Sequence, residues 1–147
     1  MSRIQLRGIT EDDLEFARQI RNANRDMFFY SKEITEEDQK RWWKTYLSTP
    51  RERYTLYIIW LGDKRIGTTS LSKIPDGYEF GNNIILDEYR GCGYFREVFQ
   101  EIMRIVGDAT LVAYVLHTNS HMKNVYRKFS LFEYSTPDYV EFRTRRK

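Results

Sequence analysis

"LDEYRGCGYFREVFQEIM", residues Leu86 to Met103, carries a hydrophobic run into a helical pattern across two glycines, Gly91 and Gly93, with Arg90 leading in. Phe95, Val98, Phe99, Ile102, Met103 and Val106 recur at helical spacing and form one apolar face. At a strand-to-helix junction the first helical N–H groups lack intrahelical partners and lie at the positive pole of the helix dipole. Glycines there let phosphate oxygens approach the main chain without meeting a Cβ, and Arg90 adds a charged donor. The predicted ligand group is a phosphate or pyrophosphate. No Lys-Ser or Lys-Thr follows the glycines, so this is not the phosphate loop of nucleotide hydrolases. The dinucleotide fingerprint is also absent: its third glycine is missing, and the preceding strand reads as part of an antiparallel meander. The plainer alternative is that both glycines only shape a tight loop, with Arg90 in solvent.

Upstream, that meander comprises Arg53 to Leu61, then "RIGTTSLSKI" after the turn Gly62-Asp63, then "YEFGNNIIL" after Asp76-Gly77. Before it lie a short alternating strand from Ile4 and two helices. One is capped at Thr10 and runs to about Arg21; the other is capped at Thr35 and runs to about Leu47. Downstream come a buried strand "TLVAYVL", a short helix "SHMKNVYRKF" and a closing hairpin around Pro137-Asp138. The order β-α-α-β-β-β-α-β-α-β-β predicts an α+β fold, a mixed and mostly antiparallel sheet of six to seven strands with helices on both faces.

The chain has 147 residues, expected to form one domain over 1–147, and its 24 basic residues against 21 acidic give a net charge of +3. That excess is too small for a nucleic-acid stripe but suits an anionic small ligand. Cys92 is the only cysteine, so no intramolecular disulfide forms, and "MSRIQLRGIT" lacks a signal-peptide core. The longest dense apolar run, "YTLYIIWL", is far short of the ~20 residues a membrane span needs. The expectation is a soluble, cytoplasmic protein with neither a membrane nor nucleic acid as partner.

Asn119 lies at the end of the buried strand and Tyr126 seven residues on, in the following helix. Together with Arg90-Gly91-Cys92-Gly93, this layout resembles the GNAT acetyltransferase superfamily. In that family an Arg/Gln-x-x-Gly-x-Gly/Ala loop wraps the pyrophosphate of acetyl-coenzyme A, and an Asn-x6-Tyr segment supplies a pantetheine contact and the general acid. Two positions depart from the pattern: Phe95 stands at the last small position of the loop, and Ser130 where glycine usually follows the tyrosine helix. The resemblance implies the GNAT fold, acetyl-coenzyme A as co-substrate and acetyl transfer to an amine without a metal. It places Arg90, Gly91, Cys92, Gly93, Tyr94, Phe95 and Asn119 at the cofactor.

Main-chain N–H groups around Ile85 and Leu86, at the splayed end of their strand, would meet the charge building on the acetyl oxygen. Tyr126 would protonate the leaving thiolate; on its helix alone it reads first as a core tyrosine, and the Asn119 spacing and the glycine loop favour the acid. Glu79 and His117 are candidate bases for the amine, each also readable as a surface or structural residue. Cys92 has no evident partner for a nucleophilic role and reads as a loop position chosen for size.

The acceptor side is expected in the N-terminal third, where Arg21, Asn22, Arg25 and Phe28 accompany Phe29, Trp42 and Trp43. Arginines and aromatic rings in one wall suit a ligand with flat or sugar-like faces and phosphate charge. Adjacent on one helix, Trp42 and Trp43 are not expected to face inward together. The stretch is similar to the GNAT branch that acetylates nucleotide-linked amino sugars. A protein N-terminus or lysine, a polyamine or an antibiotic remain alternative acceptors. A non-catalytic relative that binds coenzyme A or a partner protein, and an unrelated anion-binding module, are alternative functions. The expected partner is a small-molecule amine, and a homodimer is compatible with the resemblance.

Overall fold

A threonine precedes each of the first two helical segments. The Thr35 hydroxyl accepts the Asp38 N–H at 3.0 Å while the Asp38 carboxylate accepts the Thr35 N–H, a reciprocal box that opens α2 (Glu36–Ser48). At Thr10 the result differs from the expected uninterrupted helix. Asp13 accepts the Thr10 N–H at 2.8 Å and pairs with Arg65 at 2.7 Å, and the chain makes a 3-10 turn over Glu11–Asp13 before α1 (Leu14–Ala23). The computed structural model describes residues 2–147. Its remaining elements are β1 (Gln5–Gly8), β2 (Tyr54–Leu61), β3 (Lys64–Ile74), β4 (Gly77–Ile85), α3 (Tyr94–Val106), β5 (Thr110–Val115), α4 (Ser120–Arg127), β6 (Phe132–Ser135) and β7 (Val140–Arg143). No helix among the described residues is long and apolar enough to cross a membrane.

The strands form one seven-stranded sheet in the order β1-β2-β3-β4-β5-β7-β6, antiparallel throughout except between β4 and β5. Period-two alternation sends β2 side chains to both faces. Leu56, Ile58 and Trp60 pack with Leu14, Trp42 and Tyr46 of the first two helices. Ile59 belongs to the opposite core, where α3 contributes Val98 and Ile102 and α4 contributes Tyr126. Burying Val98 and Ile102 completely stabilises by about 1.5–3 kcal/mol each. Both tryptophans of α2 lie half-buried against Tyr46, with ring centroids 4.9 and 5.6 Å away. The expectation that only one would face inward therefore fails, because the Tyr46 ring is wide enough to meet two adjacent positions.

β4, α3 and β5 form a parallel crossover, which corrects the reading of β4 as a strand of an antiparallel meander alone. The parallel pairing is short: Gly77, Tyr78 and Glu79 face Thr110, Leu111 and Val112, and the register ends there. At Gly77 any Cβ would overlap the Thr110 carbonyl, so glycine permits the close approach that joins the two strands. Beyond Glu79 the strands diverge, each keeping its pairing on the outer side. A wedge opens between them.

Candidate active site

The wedge exposes one edge of β4, and a bulge determines what that edge presents. Register with β3 slips between Thr68 and Ser70, so Asn82 and Asn83 both stand opposite Thr69, and Asn82 takes φ +52°. The Leu86 N–H donates to the Ile66 carbonyl at 2.9 Å and is not free for a substrate, which corrects its expected role as a donor. By strand alternation the neighbouring Ile85 N–H and C=O face the wedge. Arg90 Nε donates to that Ile85 carbonyl at 2.8 Å, replacing the ladder partner that the divergence removes.

Arg90 thus has a different task from the one expected. Its guanidinium also donates to the Asn24 side chain at 3.1 Å and pairs with Asp87 at 2.7 Å, bracing the loop rather than standing free beside a phosphate. Gly91 and Gly93 both take left-handed conformations, φ +74° and +85°, and a Cβ built on Gly91 would meet nothing within 4 Å. Among the described residues, no protein acceptor takes the N–H groups of Tyr94, Phe95 or Arg96 at the start of α3. The cation beside the loop is Arg3, which sequence reading missed. It donates to the Cys92 carbonyl at 3.0 Å, lies 4.4 Å from the Tyr94 ring centroid and pairs with Glu97. Cys92 is exposed. The Phe95 ring turns away from the loop and stacks between Phe80 and Phe129, at 5.8 and 6.0 Å.

Glu79, Asn83, Asn119, Tyr114, Phe28 and Tyr126 share the lining of a cavity of about 300 Å³. Tyr126 is almost fully buried among Phe80, Phe95, Phe129 and Phe142, and burial pushes its phenol above the ordinary tyrosine range. Asn83 Nδ2 donates to its hydroxyl at 3.0 Å, an N–H that favours the phenolate and opposes part of that shift. Burial also raises the Glu79 carboxyl above the usual range. Asn119 caps α4 by accepting the Met122 N–H at 3.2 Å. His117 does not join this group: its exposed ring bonds the Thr136 carbonyl at 2.6 Å, and it is absent from the cavity lining.

A second cavity of about 340 Å³ lies between α1, α2 and the sheet, lined by Arg18, Arg41, Trp42 and Tyr54 among others, and shares Arg21, Tyr30 and Asn82 with the first. Arg21 donates to Asn82 Oδ1 at 2.5 Å and lies 3.7 Å over the Phe28 ring. Its charge is disfavoured by burial and it forms no ion pair among the described residues. Asn22 instead clamps the Ile34 backbone through bonds of 2.8 and 2.9 Å, and Arg25 is exposed outside both cavities. The structure therefore gathers Arg21 and Phe28 from the expected acceptor set but not Asn22 or Arg25. Asn82 and Asn83 were also missed, although two adjacent amides inside the apolar run "YEFGNNIIL" signal an interrupted ladder.

No curated protein sequence matches the chain, but solved structures of the same architecture are numerous. A spermidine N-acetyltransferase from Vibrio cholerae in complex with CoA and spermine superposes at TM-score 0.79 and 16% identity, over 96% of this chain and 94% of that one. FdhC, described as a nucleotide-linked sugar GNAT, gives 0.77 and 20%, over 97% and 86%. RimL, a ribosomal L7/L12 α-N-protein acetyltransferase in complex with coenzyme A, gives 0.74 and 17%, over 97% and 94%. At such identities these likenesses show the fold, a mixed α+β sheet of seven mostly antiparallel strands with four helices. The family model for the acetyltransferase (GNAT) domain matches residues 3–130, a span that contains the glycine loop, the wedge and Tyr126, and the chain belongs to the GNAT acetyltransferase family.

Proposed function

We propose that the protein transfers an acetyl group from acetyl-coenzyme A to a primary amine by direct attack. The observation that carries this reading is that Glu79 and Tyr126 line one cavity at the wedge between β4 and β5. The open, donor-lined turn at Gly91 and Gly93 fits a pyrophosphate, with the N–H groups of Tyr94, Phe95 and Arg96 and the Arg3 guanidinium as its donors. Acetyl-coenzyme A supplies the acetyl thioester. Ile85 presents an N–H for the charge that builds on the carbonyl oxygen. Glu79, its carboxyl raised by burial, takes the proton of the attacking ammonium, directly or through one water. Tyr126 gives its proton to the departing sulfur, and Asn119 lines the approach to it.

The acceptor we infer carries an anionic group. Arg21 is half-buried, has no carboxylate partner among the described residues and stands where the two cavities meet, so an anion there would relieve its desolvation. A nucleotide-linked amino sugar has the required parts: an amine for the first cavity, phosphate for Arg21, and a flat ring for the Trp42 and Tyr30 side of the second. The likeness to FdhC, a nucleotide-linked sugar GNAT, supports this class. The test is an acceptor panel of nucleotide-linked amino sugars, peptide N-termini and polyamines, read by free thiol, with thermal stabilisation by acetyl-coenzyme A measured in parallel. Thiol release with the sugar set and stabilisation by the cofactor are expected. Stabilisation without turnover on any amine would leave a coenzyme A binder, and neither response would end the reading.

A further inference from the structure

Gly81 lies inside β4, paired with Ser70 of β3, at a position where glycine weakens a strand. Its backbone does not require that residue. The left-handed conformation at the bulge belongs to Asn82, and a Cβ built on Gly81 would make only ordinary contacts, 3.4 Å from Ser70 Oγ and 3.6 Å from Glu79 Oε2. Gly77 is the opposite case, since a Cβ there would overlap the Thr110 carbonyl. Ser70 and Glu79, the two residues that the added Cβ would meet, both line the first cavity, and Gly81 lines it with them. The missing side chain is therefore room in the wall of that cavity. It adjoins Asn82, whose side chain accepts the Arg21 bond of 2.5 Å.

We propose that Gly81 is a specificity-determining residue against which the ring of a cyclic amine acceptor lies. The proposal rests on the reading of Arg21 as the site for the acceptor's anion. In a nucleotide-linked amino sugar the ring is bonded directly to the phosphate, so a phosphate held at Arg21 brings the ring to the residues of β4 beside Asn82. A saturated ring has a fixed thickness and cannot bend around a methyl group. A linear aminoalkyl chain can, by rotation about its own bonds. Glycine at this position admits rings as well as chains, and any larger side chain favours chains. An interior glycine free of strain, with its open side in a cavity, is what close approach of a ligand to the main chain needs.

Gly81→Ala tests this with two phosphate-bearing amines, a UDP-linked amino sugar and the linear aminopentyl phosphate, each titrated calorimetrically into the protein in the presence of coenzyme A. The variant should melt no lower than wild type, because alanine loses less chain entropy on folding than glycine does. Its thermal stabilisation by acetyl-coenzyme A should be unchanged. The Kd for the UDP-linked sugar should rise at least about tenfold, the scale of one methyl-sized mismatch in a pocket. The Kd for aminopentyl phosphate should stay within about twofold of wild type. A lower melting temperature would show that the backbone needs this glycine. Unchanged affinity for the sugar, or an equal loss for both amines, would show that no ring rests on it, and each of these results overturns the proposal. Failure of the underlying reading has a separate sign: Arg21→Gln would then leave wild-type affinity for both amines intact, whatever Gly81→Ala does.

Discussion

Arg21 stacks on Phe28, its guanidinium carbon 3.7 Å from the ring centroid, with one N–H donated to Asn82. The ring and the amide hold the group in place without neutralising it. A guanidinium held this way is prepared for an anion it does not yet have. Arg21→Gln should raise the KM for a phosphate-bearing amine by about 10- to 150-fold, the equivalent of a charge-assisted hydrogen bond of ~1.5–3 kcal/mol, with kcat little changed. A polyamine acceptor should bind no worse, since the cation it must approach is gone. Steady-state kinetics on both acceptor types checks this, and an equal loss for both would remove the anion-binding role.

Glu79 carries a pH signature of opposite sign in activity and in stability. Burial raises its carboxyl, so the acid limb of kcat/KM should lie above the ordinary glutamate range, and Glu79→Gln should slow turnover and remove that limb. Between the unfolded value and the raised folded value the native state binds more protons, so stability falls as pH rises through that window. Glu79→Gln should therefore have a higher Tm than wild type at neutral pH while being less active. Thermal melts and rate profiles over the same pH series test both signs.

The fold was legible because its signals are local: threonine caps followed by acids, Asp76-Gly77 between two strands, and the apolar stripe from Phe95 to Val106. The glycine loop and Tyr126 drew attention because glycine and tyrosine stand at characteristic spacing, and they lie at the start of α3 and in the lining of the wedge cavity. What remained hidden depends on long-range partners. Arg90 reads as a phosphate donor until the divergence of β5 leaves the Ile85 carbonyl needing it. Arg3 meets Cys92 across 89 positions, and no local pattern links them. His117 and Asn22 carry plausible chemistry but are already engaged by backbone groups at Thr136 and Ile34. The parallel crossover escaped notice because only three residue pairs establish it, at a glycine that also reads as a hairpin turn.

Ser130 stands where the family pattern has glycine, and its backbone adopts the glycine conformation nonetheless, at φ +59°. A side chain in the left-handed region costs about 1–2 kcal/mol, partly offset by the ~0.5–1 kcal/mol of extra chain entropy that glycine loses on folding. Ser130→Gly should therefore stabilise the protein by roughly 0.5–1 kcal/mol, read as a rise in denaturation midpoint. Turnover should be unaltered, since the position lies beyond α4 and lines neither cavity. A lower midpoint would show that the Ser130 side chain contributes a contact that outweighs its backbone strain.

The two arginines at the glycine loop should separate in a single pair of measurements. Arg90 braces the loop through Ile85, Asn24 and Asp87, so Arg90→Ala leaves a carbonyl of the wedge without its partner. That variant should lose about 1–3 kcal/mol of stability, the cost of an unsatisfied polar group, and its affinity for acetyl-coenzyme A should fall only through the loosened loop. Arg3 is about half exposed and is tied to Glu97, Tyr94 and the Cys92 carbonyl. Arg3→Ala should have little effect on the melting temperature of the free protein but should weaken acetyl-coenzyme A binding, and the gap from wild type should narrow as salt screens the missing charge. Thermal shifts of both variants with and without acetyl-coenzyme A, at low and high salt, distinguish brace from phosphate donor. The reverse pattern, with Arg90→Ala salt-sensitive in binding and normal in stability, would return the phosphate role to Arg90 and require its guanidinium to leave the Ile85 carbonyl when the cofactor arrives.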